Sequence, residues 1–143
     1  MIIDATDLIL GRMATVVAKK SLLGEKMDIV NCEKAVVSGN KRFVLTKYKQ
    51  KRDRGTYKGP FLFRKPNAFV KRAIRGMLPY KKELGKEAFK NIKCYIGQPI
   101  DGKAETIEAA KVSKLPLSKY VTVKRICEEL WNKYMLQENV KEQ

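Results

Sequence analysis

The sequence contains no histidine, and its three cysteines, Cys32, Cys94 and Cys127, lie far apart. No CxxC pair is present, so the usual Cys/His ligand set for zinc is missing. The lack of histidine also removes the commonest general base and the usual activator of a catalytic nucleophile. Each cysteine has apolar neighbours, which is typical of a small buried residue. The composition therefore predicts no metal site and no cofactor, and it disfavours an enzyme.

Long apolar runs are also missing, since none approaches the roughly 20 residues that cross a bilayer. The basic residues do not share one amphipathic helix with a broad apolar face, so no membrane partner is predicted. The start of the chain (residues 1–4) lacks the charged and apolar regions of a secretory signal, which predicts an intracellular protein. A length of 143 residues predicts a single domain, residues 1–143, with its own core.

Acidic residues are scarce in one part of the chain, residues 41–90. This basic stretch contains 17 lysines and arginines but only three acids, a net charge of +14 out of +16 for the whole chain. Clustered cations repel one another, so a polyanion is the natural partner. A solvated charged surface is the alternative. The concentration of charge, with Phe61, Phe63 and Phe69 interleaved, favours nucleic acid.

The first thirty residues predict a strand, a helix and a second strand. The strands are predicted at residues 1–5 and 27–31, with Asp7 capping the helix and Gly24 ending it. Apolar residues at helical spacing predict its buried face: Leu10, Met13, Ala14, Val17 and Ala18. Such an order is typical of a parallel βαβ unit.

A nucleotide-binding enzyme is the first alternative suggested by this unit. The turn before the helix has only Gly11, whereas the dinucleotide fingerprint needs three glycines and the P-loop pattern is absent. Arg12 follows, and a cation near a helix start opposes the helix dipole. It is interpreted either as a solvated side chain or as a phosphate contact.

The basic stretch predicts two helices separated by a long loop. Residues 43–48 predict the first helix, with Phe43, Val44 and Tyr48 on its apolar side. Residues 50–66 predict a functional loop, mobile when free and ordered on a polyanion. Pro66 opens the second helix and Pro79 ends it.

The second helix is predicted to be buried on one side and basic on the other. Its predicted apolar stripe is Phe69, Val70, Ala73, Ile74 and Met77. Lys71, Arg72 and Arg75 fall on the opposite side, where phosphate contact is favoured over mere solubility. Gly76, beside them, would allow a backbone to approach closely.

The rest of the chain predicts shorter elements. A helix at residues 82–92, with Leu84, Ala88 and Phe89 inward, precedes a strand at 93–96. The pattern of residues 106–112 is compatible with either a helix or a strand. A short extended segment leads to a last helix, whose spaced residues are Val123, Ile126, Cys127, Leu130, Trp131 and Tyr134. Trp131 is predicted at the core or the domain edge, and residues 137–143 as a frayed tail.

Six strings together resemble the universal large-subunit ribosomal protein L-thirteen family over about residues 1–135. They are ILGRMA (9–14), IVNCEKA (29–35), GPF (59–61), RGMLP (75–79), GKEAF (85–89) and YIGQP (95–99). The most specific is RGMLP after a basic helix. The GPF segment and YVTV (120–123) resemble the archaeal and eukaryotic branch.

The resemblance implies a structural protein of the large ribosomal subunit, not an enzyme. It implies a three-layer α/β/α sandwich with a mainly parallel four-stranded sheet, the fourth strand lying near Val121 or in residues 106–112. The implied partners are large-subunit ribosomal RNA and neighbouring ribosomal proteins. Motif positions implied to lie at RNA are Arg12, Lys34, Arg75 and Gly76.

Charge and helical position add the other candidate RNA-binding residues. They are Lys41, Arg42, Lys47, Lys49, Lys51, Arg52, Arg54, Lys58, Arg64, Lys65, Lys71, Arg72, Lys81 and Lys82. Composition alone also allows a non-ribosomal nucleic-acid-binding module, and only the resemblance separates the two.

Overall fold

The computed structural model has a mixed α/β fold and describes residues 1–55, 57–59, 61–100, 102–115 and 119–131. Its strands are β1 (Ile2–Asp4), β2 (Met27–Val30), β3 (Val36–Ser38), β4 (Ile92–Cys94) and β5 (Tyr120–Thr122). Helices in the described part are α1 (Leu10–Leu22), α2 (Lys41–Asp53), α3 (Pro66–Arg75), α4 (Glu83–Lys90) and α5 (residues 123–131).

The predicted βαβ unit is present at the start of the chain. β1 and β2 pair in parallel, with Ile3 opposite Ile29, and α1 connects them. All five residues predicted for the buried face of α1 are buried. Gly24, with a backbone φ of +94°, follows the helix as predicted. Local signals were sufficient here because α1 has a regular apolar spacing and Gly24 marks its end.

The predicted Asp7 cap is wrong. α1 begins later, at Leu10, and Ile9 occupies the N-cap position without a side-chain cap. The Ile9 N–H donates to the Ala110 carbonyl at 2.7 Å, and Ile9 bridges Val36. These distant partners hold the residues before the helix in an extended conformation, so the helix begins only at Leu10.

A four-stranded parallel sheet is not present in the described residues. The parallel sheet has three strands in the order β1–β2–β4, with Cys94 opposite Ile29. β2 is almost fully buried, as expected of a parallel strand covered on both faces. The described residues therefore form a mixed α/β fold around a small parallel sheet.

The expected fourth strand pairs elsewhere. β5 pairs antiparallel with β3, Val121 opposite Val37, in a separate two-stranded sheet. β3 lies within residues 33–40, where the turn-forming residues Ser38, Gly39 and Asn40 predict a turn rather than a strand. Beside β1, Glu105 makes a single parallel bridge to Ile3. Residues 106–112 then turn into short 3-10 segments, so no further strand forms there.

One cluster of buried apolar side chains extends from Ile3 to Leu130. Two residues predicted to be inward are not part of it, since Phe43 is 68% exposed and Leu84 59% exposed. On α4 the residues that face inward are Gly85 and Ala88. This helix is therefore packed through small residues and the half-buried Phe89, and not through Leu84.

The start of the predicted last helix is confirmed. Val123, Ile126, Cys127 and Leu130 are buried, whereas Trp131 is about half exposed, as expected of an edge residue. Tyr134 and the predicted tail, residues 137–143, lie outside the described residues.

Candidate nucleic-acid interface

Helix α3 forms the centre of the basic surface. Pro66 occupies its first turn, and Phe69, Val70 and Ile74 are buried as predicted. The predicted stripe is less complete towards its end, because Ala73 is half-buried and Met77 is exposed. The opposite side of α3 bears three cations, Lys71, Arg72 and Arg75.

Each of these three cations lies over an aromatic ring. Lys71 Nζ is 4.8 Å from the centre of the Phe89 ring, and Arg72 Cζ is 5.3 Å from that of Phe63. Arg75 Cζ is 5.1 Å from the centre of the Tyr80 ring. Cation–π contacts fix the direction of a charge without neutralising it. The three side chains are therefore half-buried and held in place, rather than free in solvent.

The loop before α3 is attached to the same face. Arg72 Nη1 donates a hydrogen bond of 2.8 Å to the Phe61 carbonyl oxygen. Residues 61–63 are thereby tied to the helix. The predicted loop also begins later than expected, because α2 extends to Asp53. Thr56 and Pro60 of this loop lie outside the described residues.

Helix α2 supplies a second set of cations. Its N-terminus is capped by the Asn40 side-chain oxygen, which accepts from the Arg42 N–H at 3.1 Å. Lys49 Nζ pairs with Glu129 Oε2 at 2.9 Å. The Lys49 hydrogen bond lowers the pKa of Glu129, so this lysine links α2 to α5. Exposed cations on α2 are Lys41, Arg42, Lys47 and Lys51.

The remaining candidates of the basic stretch are mostly exposed. Arg52 and Arg64 are half-buried, and Arg52 Nε contacts Asp53 Oδ1 at 3.1 Å. Because the stretch has 17 bases and three acids, its own carboxylates cannot neutralise most of its charge. The exposed members are Arg54, Lys58, Lys65, Lys81 and Lys82.

Two motif cations from the neutral start of the chain lie on elements that pack against α3. Arg12 is exposed on α1, three residues before Thr15, whose hydroxyl contacts Met77 Sδ at 3.4 Å. Lys34 is exposed in a short 3-10 turn that packs against α3. The fold therefore brings residues that are distant in sequence around one basic helix.

Within this chain, a close backbone approach occurs at Gly85 and not at Gly76. A Cβ on Gly76 would come no nearer than 3.4 Å to the Ala73 carbonyl oxygen, and Gly76 is exposed. A Cβ on Gly85 would lie 2.2 Å from the Pro79 carbonyl oxygen. Packing within the described chain therefore requires glycine at position 85 and does not require it at position 76.

The carboxyl ends of the parallel strands are occupied by the chain itself. Asp4 Oδ1 accepts hydrogen bonds from the Thr6 N–H, the Thr6 hydroxyl and Asn31 Nδ2, at 2.7–3.0 Å. Glu33 Oε2 accepts from the Gly97 N–H at 3.2 Å. Ligands of open α/β sheets bind at this edge. Here internal hydrogen bonds use its polar groups, which disfavours the nucleotide-enzyme alternative.

The carboxylate of Asp4 is ionised more readily than usual. Burial raises its pKa, but the bonds from Thr6 and Asn31 and the charge of Lys34 together lower it below the ordinary value of 3.8. A group with a depressed pKa stabilises the folded state above its unfolded pKa. Its contribution is lost as the pH falls through the folded value.

Replacing Asp4 by alanine should lower the free energy of unfolding by about 1–2 kcal/mol at neutral pH. The reason is that Asn31 and Thr6 lose their acceptor. Asp4→Asn keeps an acceptor oxygen but cannot ionise, so it should cost less. Urea unfolding at neutral pH and below about pH 4 measures both effects. Equal stability of all three proteins at neutral pH would contradict this role of Asp4.

The cysteines are free thiols. Contact with the Cys94 thiol, followed by burial, raises the pKa of Cys32, and burial raises that of Cys127 to about 12. A raised pKa keeps a thiol protonated and unreactive at neutral pH. Cys32 and Cys127 are buried as predicted, whereas Cys94 is only half-buried.

No helix among the described residues has the length and apolar character needed to cross a membrane.

Comparison with known proteins gives a consistent result. Residues 1–101 match the family described as "Ribosomal protein L13". Large ribosomal subunit protein uL13 of Methanococcoides burtonii is 42% identical over 137 residues, 93% of this chain and 99% of the relative. The proteins of the same name from Methanopyrus kandleri and Haloarcula marismortui are 42% and 40% identical. Those alignments cover 90% and 91% of this chain, and 85% and 90% of the relatives. All three relatives are archaeal, in agreement with the resemblance described above.

Proposed function

Because the chain belongs to the ribosomal protein uL13 family, we propose that it is a structural component of the large ribosomal subunit. In this role it binds and stabilises large-subunit ribosomal RNA through the basic surface of α2, α3 and the loop between them. The single observation that carries the proposal is the face of α3, where three cations are each seated on an aromatic ring. The named relatives are ribosomal proteins rather than enzymes.

Affinity comes from charge. Lysines and arginines that neutralise phosphates release the counterions condensed on RNA, which favours binding without reading its sequence. The three cations on α3 are already held in place before RNA arrives. Less side-chain freedom is then lost on binding, so more of the interaction energy appears as affinity. Lys71, Arg72 and Arg75 are therefore the strongest candidates for phosphate contacts.

Specificity comes from the shape of the surface. The deep major groove of A-form RNA is difficult for side chains to enter, so recognition depends on backbone shape and 2′-hydroxyl groups. The near-neutral frame of the βαβ unit holds α3, Arg12 and Lys34 at fixed positions. Gly76 is exposed, and packing within the protein does not require a glycine there. We therefore assign the close backbone approach at this position to RNA.

The other features of the proposal follow from this placement. We infer that residues 1–143 form one domain, since the buried cluster extends from Ile3 to Leu130. On the ribosome, in the cytoplasm, the protein would also contact neighbouring large-subunit proteins. The remaining candidate RNA contacts are the exposed cations of α2 and of the loop, with Lys81 and Lys82 in the turn before α4.

Sedimentation of the tagged chain from its own cell lysate tests the proposal. In a sucrose gradient at high salt, the chain is expected to migrate with the large subunit. Each phosphate contact makes binding more dependent on salt, so retention at high salt requires the shape-dependent contacts of an assembled subunit in addition to charge. Release into the light fractions as a folded monomer would contradict the ribosomal role. It would favour a general, salt-sensitive nucleic-acid binder instead.

A further inference from the structure

A cleft lies beside α3, between the C-terminal end of α2 and residues 61–63. Its volume is about 470 Å³. Pockets for small organic groups have volumes of roughly 300–1,000 Å³. Its lining includes Tyr48, Lys51, Arg54, Phe61, Phe69 and Arg72.

The lining of this cleft has two kinds of side chain. Lys51, Arg54 and Arg72 carry positive charge, and the described lining includes no carboxylate. The rest of the lining is apolar and mostly aromatic. The cleft therefore fits a group that is both aromatic and anionic, because an uncharged apolar ligand would leave the cations without a counter-charge.

The floor of the cleft is fixed by contacts within the protein. The rings of Tyr48 and Phe69 have their centres 5.2 Å apart and are tilted by 58°. Lys51 Nζ lies 5.4 Å from the centre of the Tyr48 ring, and Arg72 covers Phe63. These aromatic faces are therefore already occupied by protein groups.

Phe61 differs from the other aromatic residues of the cleft. Its side chain is 66% exposed, although Arg72 holds its carbonyl oxygen. One part of its ring adjoins Gly59, where an added Cβ would lie 3.4 Å from two ring carbons. Gly59 has a backbone φ of +99°, which other residues rarely adopt. One edge of the Phe61 ring therefore adjoins Gly59, while most of the ring is exposed and can stack on a base.

We propose that this cleft takes a single unpaired nucleotide of RNA, with its base stacked on Phe61 and its phosphate at Lys51 and Arg54. Bases that leave the RNA stack are recognised by stacking on aromatic side chains, with cations tracking the backbone. A free phosphate would not use the aromatic lining, and a paired base could not enter. The inference rests on the proposed function, since it refines how the same surface meets RNA.

The variant Phe61→Leu tests the stacking, because it keeps apolar volume and removes the ring. The probe is a short single-stranded oligoribonucleotide carrying a fluorescent adenine analogue. The full-length protein should bind it and quench its fluorescence, while the variant should bind on the order of tenfold more weakly with little quenching. Binding of a blunt RNA duplex, which has no unpaired base, should be the same for both.

Phe43→Leu is the matched control. Phe43 is equally exposed, at 68%, and lies on α2 but not in the lining of the cleft. The Phe43→Leu variant should bind the single-stranded probe as strongly as the unmodified protein does. Equal binding and quenching by the Phe61→Leu variant would overturn the inference. If the unmodified chain bound large-subunit RNA in the sedimentation test but did not quench the probe, the cleft proposal alone would fail.

Discussion

Replacement of Gly85 by alanine is expected to lower the free energy of unfolding by about 2 kcal/mol. A Cβ at this position would lie 2.2 Å from the Pro79 carbonyl oxygen and 2.9 Å from the Tyr80 nitrogen. Both are backbone atoms, so no side-chain rotation can relieve the contact. Overpacking of this kind costs typically 1–3 kcal/mol, sometimes more. The roughly 1 kcal/mol that alanine gains over glycine in a helix offsets only part of that cost.

Gly11→Ala is the matched control for this prediction. Gly11 also lies in a helix, but an added Cβ would have no neighbouring atom within 4 Å. Alanine there should stabilise the protein by a few tenths to 1 kcal/mol. Thermal unfolding of both variants would therefore shift in opposite directions, by roughly 7 °C downward for Gly85→Ala. A shift of the same sign and size in both would contradict the proposed contact with Pro79.

Local sequence patterns predicted the first part of the fold well. The βαβ unit and α3 were recognisable because apolar spacing, Pro66 and Gly24 are signals confined to a few neighbouring residues. Such signals depend on backbone geometry alone. They can therefore be recognised without knowledge of the tertiary contacts.

The pairing of β3 with β5 could not be predicted in this way. Each strand has three residues, and their partners lie more than eighty positions apart, as Val37 and Val121 do. Strands this short carry little periodic signal, and their pairing is decided by tertiary contacts. Residues 38–40 consequently predicted a turn where β3 forms, and the position of the fourth strand stayed open between Val121 and residues 106–112.

Helix α4 shows a different limit. Apolar size predicted Leu84 to face inward, yet the buried positions are Gly85 and Ala88. The reason is the close approach of the Pro79 and Tyr80 backbone, which admits only small residues. Periodicity in hydrophobicity does not detect a face defined by small size.

The candidate interface was predictable in charge but not in geometry. The cations on α3 were evident from the composition of residues 41–90 and from helical spacing. Their aromatic partners were not, since Phe89 lies 18 positions after Lys71 and belongs to another helix. Tyr80 is closer to Arg75, but a turn brings them together. The tertiary structure was therefore needed to recognise that these cations are held in place by aromatic rings.

Combined replacement of Lys71, Arg72 and Arg75 by alanine should weaken binding to large-subunit ribosomal RNA on the order of 100-fold. Ion pairs at such partly exposed positions contribute up to about 1 kcal/mol each, so the loss of three corresponds to roughly 100-fold. Arg75→Ala alone should weaken binding about 5- to 10-fold. Binding of the purified chain to the RNA, measured by filter retention at moderate salt, checks both values.

The dependence on salt gives a second and independent measurement. The slope of log K against log salt changes by about 0.7–0.9 for each phosphate contact. Loss of three contacts should therefore make the slope shallower by about 2. The fold should persist, because each lost cation–π contact costs only about 0.5–1 kcal/mol at such partly exposed positions.

A second triple variant separates placement from net charge. Lys19, Lys26 and Lys103 are exposed lysines outside the basic stretch, and their replacement by alanine removes the same charge. If overall charge alone drove binding, both triple variants would lose similar affinity. On the structure presented here, only the α3 variant should lose about 100-fold, because its cations are fixed by Phe89, Phe63 and Tyr80 while the control lysines lie elsewhere. Equal losses would show that RNA responds to the field of the whole chain rather than to this helix.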